Sequence, residues 1–131
     1  MKTITFSAIG ALLIGLAPSI FAEPPAKAQP SLEQLLIGSW KGGGGCDGNY
    51  LFRGDGTYER TEFGPGHCDS TGTWKLRADS LPAMLVLTCK KSDAESEVGK
   101  SSEVKVLKLD DKNLAIGYKT DFVGRYARLK K

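Results

Sequence analysis

The chain has 131 residues, of which 40% are hydrophobic, and it carries 18 Lys and Arg against 15 Asp and Glu, a formal net charge of +3 at pH 7. This length suits a single domain. Basic and acidic residues alternate along the whole sequence, which indicates a solvated surface and not the clustered basic face of a nucleic-acid-binding protein. We therefore expect no nucleic acid among its partners.

Residues 1–22 have the pattern of a bacterial secretory signal peptide. Lys2 precedes an apolar run over residues 6–16, and Ala22 offers a small residue for cleavage. The run is shorter than the roughly 20 apolar residues that cross a bilayer. We expect a periplasmic or secreted protein with no stable membrane insertion after signal removal, and loss of 22 of the 131 residues leaves 109, with a net charge of +2 because Lys2 is lost.

A proline-rich tether and a short helix are predicted next. Residues 23–30 hold three prolines, a composition typical of an extended tether. Ser31 and Gln34 have the spacing of a capping box, which predicts one or two helical turns at the start of a domain over residues 31–131. The apolar side chains of this helix are Leu32, Leu35 and Leu36.

From Trp40 onward, polar and apolar residues alternate between regularly spaced turns, which is typical of an all-β protein. Strands are predicted at residues 38–42, 48–53, 57–63, 71–77, 83–89, 102–109, 113–119 and 123–129. Eight consecutive strands that close on each other have no unpaired edge. We predict an eight-stranded up-and-down antiparallel barrel whose tight turns lie at one end and whose long connections lie at the other. Such an interior is either filled or holds one small ligand.

The register of the first predicted hairpin indicates which residues face inward. A turn at Asp55-Gly56 pairs Phe52 with Tyr58 and Tyr50 with Arg60, and paired residues share a face. The same reasoning places Arg60 and Glu62 on the inner face near the end with long connections, where they form an inward ion pair or contact a polar ligand. The alternative is an ion pair in water at the rim, which contributes little. The later strands contribute Trp74, Leu76, Leu85, Leu87, Val104, Val106, Leu114, Ile116 and Tyr118 to this face. The hypothetical ligand-binding residues are Tyr50, Tyr58, Arg60, Glu62 and Tyr118.

The glycine run in "GGGGCDG" does not predict a nucleotide site. A phosphate-binding loop needs a following Lys and Ser or Thr, and a helix whose N-terminus faces the anion. Here a predicted strand follows, so no βαβ unit for a dinucleotide can form. The glycines are better explained by a chain that turns over the rim of a barrel.

The three cysteines, Cys46, Cys68 and Cys89, all fall at the predicted end with long connections. Export favours a disulfide, and a hairpin centred near Ser80 slightly favours Cys68–Cys89 over Cys46–Cys68. A zinc or copper(I) site made of the three cysteines and His67 is the alternative. The C-x₂-C spacing that would support it is missing, so we expect no metal and no other cofactor.

Catalytic motifs are sparse. His67 is the single histidine, and no serine lies in a Gly-x-Ser-x-Gly motif. A nucleophilic pair made of Cys68 and the adjacent His67 would point to opposite faces of a strand. We therefore predict that the protein is not an enzyme.

Gly38-Ser39-Trp40, which follows the predicted helix and opens the first strand, resembles the Gly-x-Trp start of the lipocalin or calycin group. "YLFRGDGTYER" and "TGTWKL" are similar to segments of small bacterial lipocalin-like domains, and the resemblance covers residues 32–129. It implies that Trp40 lies at the closed end of the barrel. It also implies that a basic residue of the last strand, Arg128 or else Arg125, packs across this tryptophan.

Two functions are expected on these grounds. The first is a non-enzymatic exported module that binds a small molecule at the open end of the barrel. The second follows from the resemblance, because small exported barrels of this kind include inhibitors of secreted proteases. In that case the rim loops and the N-terminal arm, residues 23–30, would bind a secreted hydrolase.

Overall fold

The structure is a computed structural model that describes residues 27–43, 48–62, 68–119 and 121–130. The predicted signal peptide, residues 23–26 of the predicted tether, Cys46 and His67 lie outside these ranges. Within the described ranges, no helix has the length and apolar character needed to cross a lipid bilayer.

The predicted helix is present as α1, Leu32–Leu36. Its capping box is formed in both directions. The Gln34 backbone N–H donates to the Ser31 hydroxyl at 3.2 Å, and the Ser31 backbone N–H donates to the Gln34 side-chain oxygen at 3.0 Å. The cap orders a helix that is too short to be stable alone. The ordered helix places the fully buried Leu36 at one end of the barrel.

Eight antiparallel strands close into one barrel in chain order, as predicted. The ring is completed by pairing of the first strand with the last, in which Trp40 lies opposite Arg128 and Gly42 opposite Tyr126. The strands are β1 Gly38–Gly42, β2 Asn49–Phe52, β3 Thr57–Thr61, β4 Ser70–Arg77, β5 Ala83–Ser92, β6 Ser101–Leu109, β7 Asn113–Gly117 and β8 Val123–Arg128, with a short 3₁₀ helix at Glu95–Glu97.

The predicted register of the first hairpin is confirmed, because Tyr50 lies opposite Arg60 and Phe52 opposite Tyr58. The fifth strand is longer than predicted. Although residues 90–92 are polar, Ser92 still pairs with Ser70 of β4. A β-bulge between Thr71 and Gly72 makes this continued pairing possible, since it absorbs one extra residue of β5. The seventh strand ends at Gly117 and not at residue 119.

Large apolar side chains fill the end of the barrel beneath α1. We call this end the floor and define it by the six largest fully buried side chains of the described residues. They are Leu36, Trp40, Phe52, Leu85, Leu114 and Ile116, each less than 2% exposed. The Trp40 indole N–H donates to the Leu36 carbonyl at 2.8 Å, so its polar atom is satisfied inside the core.

Candidate functional site

Arg128 seals the floor from below. Its guanidinium carbon lies 4.3 Å from the centre of the Trp40 ring, within cation–π range. It donates to the carbonyls of Leu35, of Ile37 at 2.8 Å and of Asp111 at 2.7 Å, so it also satisfies carbonyls at the end of α1. The packing that the resemblance implies therefore involves Arg128. Arg125, the other candidate, is exposed on the outer face.

Gly38 is needed for this arrangement. Its φ of +135° lies in the region that residues with a side chain rarely adopt. In addition, a Cβ at this position would stand 2.5 Å from Nη1 of Arg128. The glycine before Trp40 thus leaves the space in which the guanidinium lies, which explains the Gly-x-Trp pattern physically.

The opposite half of the barrel encloses a cavity of about 390 Å³, which we call the mouth cavity. This volume is within the range of small-molecule sites, roughly 300–1,000 Å³. All five residues predicted to bind a ligand contribute to its wall. The lining residues are Tyr50, Tyr58, Arg60, Glu62, Cys68, Ser70, Leu87, Cys89, Ser92, Ala94, Glu97, Lys100, Ser102, Val104 and Tyr118.

Arg60 and Glu62 form an ion pair in the cavity wall. They point to the same side because side chains two positions apart on a strand share a face. Nη2 of Arg60 lies 2.5 Å from Oε1 of Glu62, and the two side chains are only 29% and 21% exposed. The Arg60 guanidinium also lies 5.5 Å from the centre of the Tyr50 ring. The pair is therefore partly shielded from solvent, unlike a fully exposed surface pair.

One donor of this guanidinium is unused. Nε of Arg60 is buried and has no hydrogen-bond partner within the described part of the chain. A buried donor without an acceptor costs about 1–3 kcal/mol, and more when the group is charged.

Three tyrosine hydroxyls meet at the boundary between the cavity and the floor. The Tyr118 hydroxyl lies 3.0 Å from that of Tyr126 and 3.4 Å from that of Tyr50. Burial raises the pKa of Tyr50 well above its ordinary value, and the neighbouring Tyr118 raises it further. Burial also raises the pKa of Tyr58. The phenols of Tyr50 and Tyr58 are therefore neutral at physiological pH and can both donate and accept hydrogen bonds.

The Arg60 side chain stays charged beside them. Burial lowers the pKa of Arg60, but the neighbouring Tyr50, Tyr118 and Glu62 raise it, and the net pKa lies above the ordinary value for arginine. The cavity thus combines the permanent cation of Arg60 with the neutral phenols of Tyr50 and Tyr58.

Cys68 and Cys89 both line the mouth cavity, and in the structure both are free thiols. The predicted disulfide between them is not formed. The strand register explains this, because Cys89 lies opposite Gly72, four residues beyond Cys68. The Cys68 sulfur instead lies 3.0 Å from the Ser92 hydroxyl. The alternative bridge, Cys46–Cys68, involves a residue outside the described ranges.

The described residues contain no group of three or more His, Cys, Asp or Glu side chains arranged to hold a metal ion. The four-residue site considered from the sequence includes Cys46 and His67, which the structure does not describe. Cys68 and Cys89 are its two described members, and both lie in the cavity wall.

The connection between β5 and β6 contributes cavity residues that the sequence pattern did not indicate. Ala94, Glu97 and Lys100 line the cavity, together with Ser92 at the end of the extended β5. Lys100 and Glu97 form an exposed ion pair at 3.0 Å. Alternation in the strands gives no information on such residues. The unusual length of the connection was the available signal that it folds back toward the barrel.

No protein-family model, curated protein or solved structure matches this chain. The closed eight-stranded barrel shows a lipocalin-like architecture. Membership of the calycin group stays a prediction that rests on the Gly-x-Trp start and on the contact between Trp40 and Arg128.

Proposed function

We propose that the protein is a non-enzymatic binding module of the lipocalin-like type that holds one small molecule in the mouth cavity. The observation that carries this proposal is the cavity of about 390 Å³ at the mouth of the barrel, with the Arg60–Glu62 ion pair in its wall. Ligand sites are concave and combine apolar surface with polar groups that orient the ligand. The wall of this cavity has both kinds of group, because tyrosine rings, Leu87 and Val104 lie beside four charged side chains and three serines.

The choice of side chains supports the proposal. Inward positions around the floor carry tryptophan, phenylalanine, leucine and isoleucine. Around the cavity, several inward positions carry short side chains instead, namely Ser70, Ser92, Ala94 and Ser102. Because barrels of this strand number can be filled completely by larger side chains, these short residues are what leaves room for a ligand.

A pair of adjacent serines on β6 provides the test. Ser102 lines the cavity, whereas the hydroxyl of Ser101 lies 2.8 Å from that of Thr88 at an exposed site. Ser102→Trp places an indole in the cavity, and Ser101→Trp places the same group outside it. Each protein is incubated with a panel of small aromatic and aliphatic molecules and analysed by native mass spectrometry. We expect the wild type and Ser101→Trp to retain a panel member that Ser102→Trp loses.

Equal retention by both variants would place binding outside the cavity. Failure of the wild type to retain any member of the panel would count against the proposed function as a whole.

Exposed apolar residues at the mouth favour a second candidate, inhibition of a secreted hydrolase through the rim. Val98 and Phe122 are 46% and 51% exposed, and both lie in connections at this end of the barrel. The test is inhibition of a panel of secreted proteases. We expect the double variant Val98→Ser/Phe122→Ser to lose inhibition, and we expect Leu81→Ser, at a fully exposed leucine of the opposite end, to keep it.

Loss of inhibition on deletion of residues 23–30 would add the N-terminal arm to this interface. Inhibition by none of the proteins would remove this second candidate.

The last part of the proposal is that the protein is exported from the cytoplasm. It is supported by the pattern of residues 1–22, which is that of a signal peptide. N-terminal sequencing of the protein recovered from outside the cytoplasm should begin at Glu23. An intact N-terminus at Met1 on all of the protein would contradict export by this route.

A further inference from the structure

The wall of the mouth cavity contains two thiols that the proposed function does not use. Cys68 and Cys89 both line the cavity, and both are free in the structure. Cys68 is half-buried, whereas Cys89 is only 8% exposed. A cysteine attacks disulfides as its thiolate, and the attack requires access to the sulfur. The cavity wall therefore offers two sulfurs to an occupant, and Cys68 is the more accessible of them.

The two sulfurs have different hydrogen-bond partners. The Cys89 thiol donates to the Lys91 backbone carbonyl at 3.5 Å. A carbonyl can only accept, so this contact is made by the thiol and not by the thiolate. The Cys68 sulfur lies 3.0 Å from the Ser92 hydroxyl, which can donate to a sulfur anion. Of these two contacts, the one at Cys68 is the one that suits a nucleophile.

A backbone N–H supports the donor beside Cys68. The Ala94 backbone N–H donates to the Ser92 hydroxyl oxygen at 3.2 Å. The hydroxyl hydrogen stays available to the Cys68 sulfur, and hydrogen bonds that are linked in this way strengthen one another. Ser92 and Ala94 also line the cavity, so this chain of donors ends at a sulfur in the cavity wall.

The strand register separates Cys68 from the other described cysteine. Cys89 lies opposite Gly72, four residues beyond Cys68, and no disulfide joins these two described residues. A sulfur that pairs with Cys68 therefore comes from outside the described part of the chain. The cavity of about 390 Å³ has room for a small group beside Cys68, because Ser92 and Ala94 have short side chains. These observations favour a small molecule as the source of the second sulfur.

We propose that Cys68 is a site of S-thiolation, at which a low-molecular-mass disulfide leaves one of its halves in the mouth cavity. The Cys68 thiolate attacks one sulfur of the disulfide, whose S–S bond breaks as the bond to Cys68 forms. The other half leaves as a thiolate and takes up the proton that Cys68 released. Cys68 is thereby oxidised to a mixed disulfide, and the small disulfide is reduced to one thiol. The inference goes beyond the proposed function, because it concerns a covalent bond and not reversible binding.

The first test follows the reaction of the mature wild-type protein with bis(2-hydroxyethyl) disulfide, a small uncharged probe. The protein is reduced, freed of reductant and incubated with the probe at pH 7, and peptide mapping by mass spectrometry locates the adduct. We expect modification of Cys68 to be roughly tenfold faster than that of Cys89, because of its access and its donor. Equal rates, faster reaction of Cys89, or a Cys46–Cys68 disulfide in place of the adduct would overturn the inference.

Two serine variants test the hydrogen-bond donor. Ser92→Ala removes the hydroxyl beside Cys68 without adding bulk to the cavity, and we expect modification of Cys68 to slow about fivefold, the effect of losing one hydrogen bond. Ser101→Ala removes a hydroxyl at the exposed site near Thr88 and should leave this rate unchanged. The rate at Cys89 reports on general loosening and should not change in either variant. An unchanged rate at Cys68 in Ser92→Ala, or an equal fall in both variants, would overturn the role of Ser92.

The tryptophan variants of β6 test whether the adduct lies in the cavity. Ser102→Trp places an indole in the cavity and Ser101→Trp places it outside, so we expect slower modification of Cys68 in Ser102→Trp alone. Equal rates in the two variants would place the adduct outside the cavity and overturn the site as proposed.

The failure of this inference is distinguishable from the failure of the proposed function. If Cys68 stays unmodified while the wild type retains a panel member that Ser102→Trp loses, the inference alone falls. If Cys68 is modified while the wild type retains no member of the panel, the proposed function falls and the inference stands.

Discussion

The floor and the mouth cavity are the two halves of one barrel, and both are built from inward-facing residues of the same strands. On β5, Leu85 is fully buried in the floor, whereas Leu87, two residues along, lines the cavity. On β2, Phe52 belongs to the floor, and Tyr50 contacts both regions. Side chains alternate between inward and outward positions through both halves. The inward side chains, however, become smaller and more polar from the floor to the mouth cavity.

This difference assigns separate tasks to the two halves. The floor buries large apolar side chains, the Trp40 indole N–H has a hydrogen-bond acceptor there, and the Arg128 guanidinium packs on the indole ring. The floor therefore stabilises the closed ring. The mouth half contributes fewer large apolar groups and contains a buried donor, Arg60 Nε, that has no partner among the described residues, so it is less optimal for stability than for binding. The following predictions test this division, beginning with the largest effect.

The same truncation on one strand should have different costs in the two halves. Leu85→Ala creates a void in a packed core, and we expect a loss of about 3–4 kcal/mol in the free energy of unfolding. Leu87→Ala enlarges a cavity that already exists, and we expect about 2 kcal/mol, near the low end for such changes. Urea denaturation measures both. Equal losses would show that the cavity wall is packed as tightly as the floor.

The guanidinium of Arg128 should matter far more than its neighbour on β8. Arg128→Met removes the contact with Trp40 and the bonds to the carbonyls of α1, which should cost about 2–3 kcal/mol. Arg125→Met, on the exposed outer face, should change stability by no more than about 0.5 kcal/mol. A small effect of both substitutions on chemical denaturation would show that Arg128 does not hold the floor together.

High pH should act on the mouth half through Tyr50. Burial raises the pKa of this phenol in the folded state, so its contribution to stability is complete below the ordinary tyrosine pKa of about 10. The contribution is lost as the pH rises from there toward the folded-state pKa, because the unfolded chain ionises first. Unfolding measured between pH 8 and 11 should therefore show a smaller alkaline loss in Tyr50→Phe than in the wild type. Identical pH profiles would contradict this role of Tyr50.

Thiol reagents should react with the cysteines of the mouth half without disturbing the packing of the floor. In a Cys46→Ser variant purified without reductant, the structure predicts two titratable thiols, whereas a Cys68–Cys89 disulfide predicts none. Cys68 should react faster than Cys89, which is 8% exposed. Comparison with Cys68→Ser and Cys89→Ser assigns each rate. A count of zero would restore the disulfide predicted from the sequence.

Several parts of the fold could be predicted because they depend on local patterns. The capping box at Ser31 and the Asp55-Gly56 turn are short-range signals, and the turn fixed the pairing of Tyr50 with Arg60. Once that pair was placed, the alternation of inward and outward side chains along each strand indicated which residues of the remaining strands face inward. This alternation put Arg60 and Glu62 on the inner face but left open whether they form an inward pair or a pair in water at the rim; in the structure both line the cavity.

Other parts could not be predicted, because they depend on contacts distant in sequence. The bulge at Thr71 and Gly72 is one example. A Cβ on Gly72 would stand 1.9 Å from the Thr88 carbonyl oxygen, a restriction that appears only when β4 and β5 are paired. This pairing extended β5 to Ser92 and set the relative positions of Cys68 and Cys89.

The sequence by itself determined the strand order and which side chains face inward, because turn residues and alternation act over a few neighbouring positions. The closure that we predicted depends on the pairing of β1 with β8, which joins residues far apart in the chain. Only the tertiary structure decided that the floor is filled while the mouth half encloses about 390 Å³. Cavity volume is the difference between the space inside the ring and the side chains that converge there from many strands. No local pattern contains that difference, so the cavity became visible only in three dimensions.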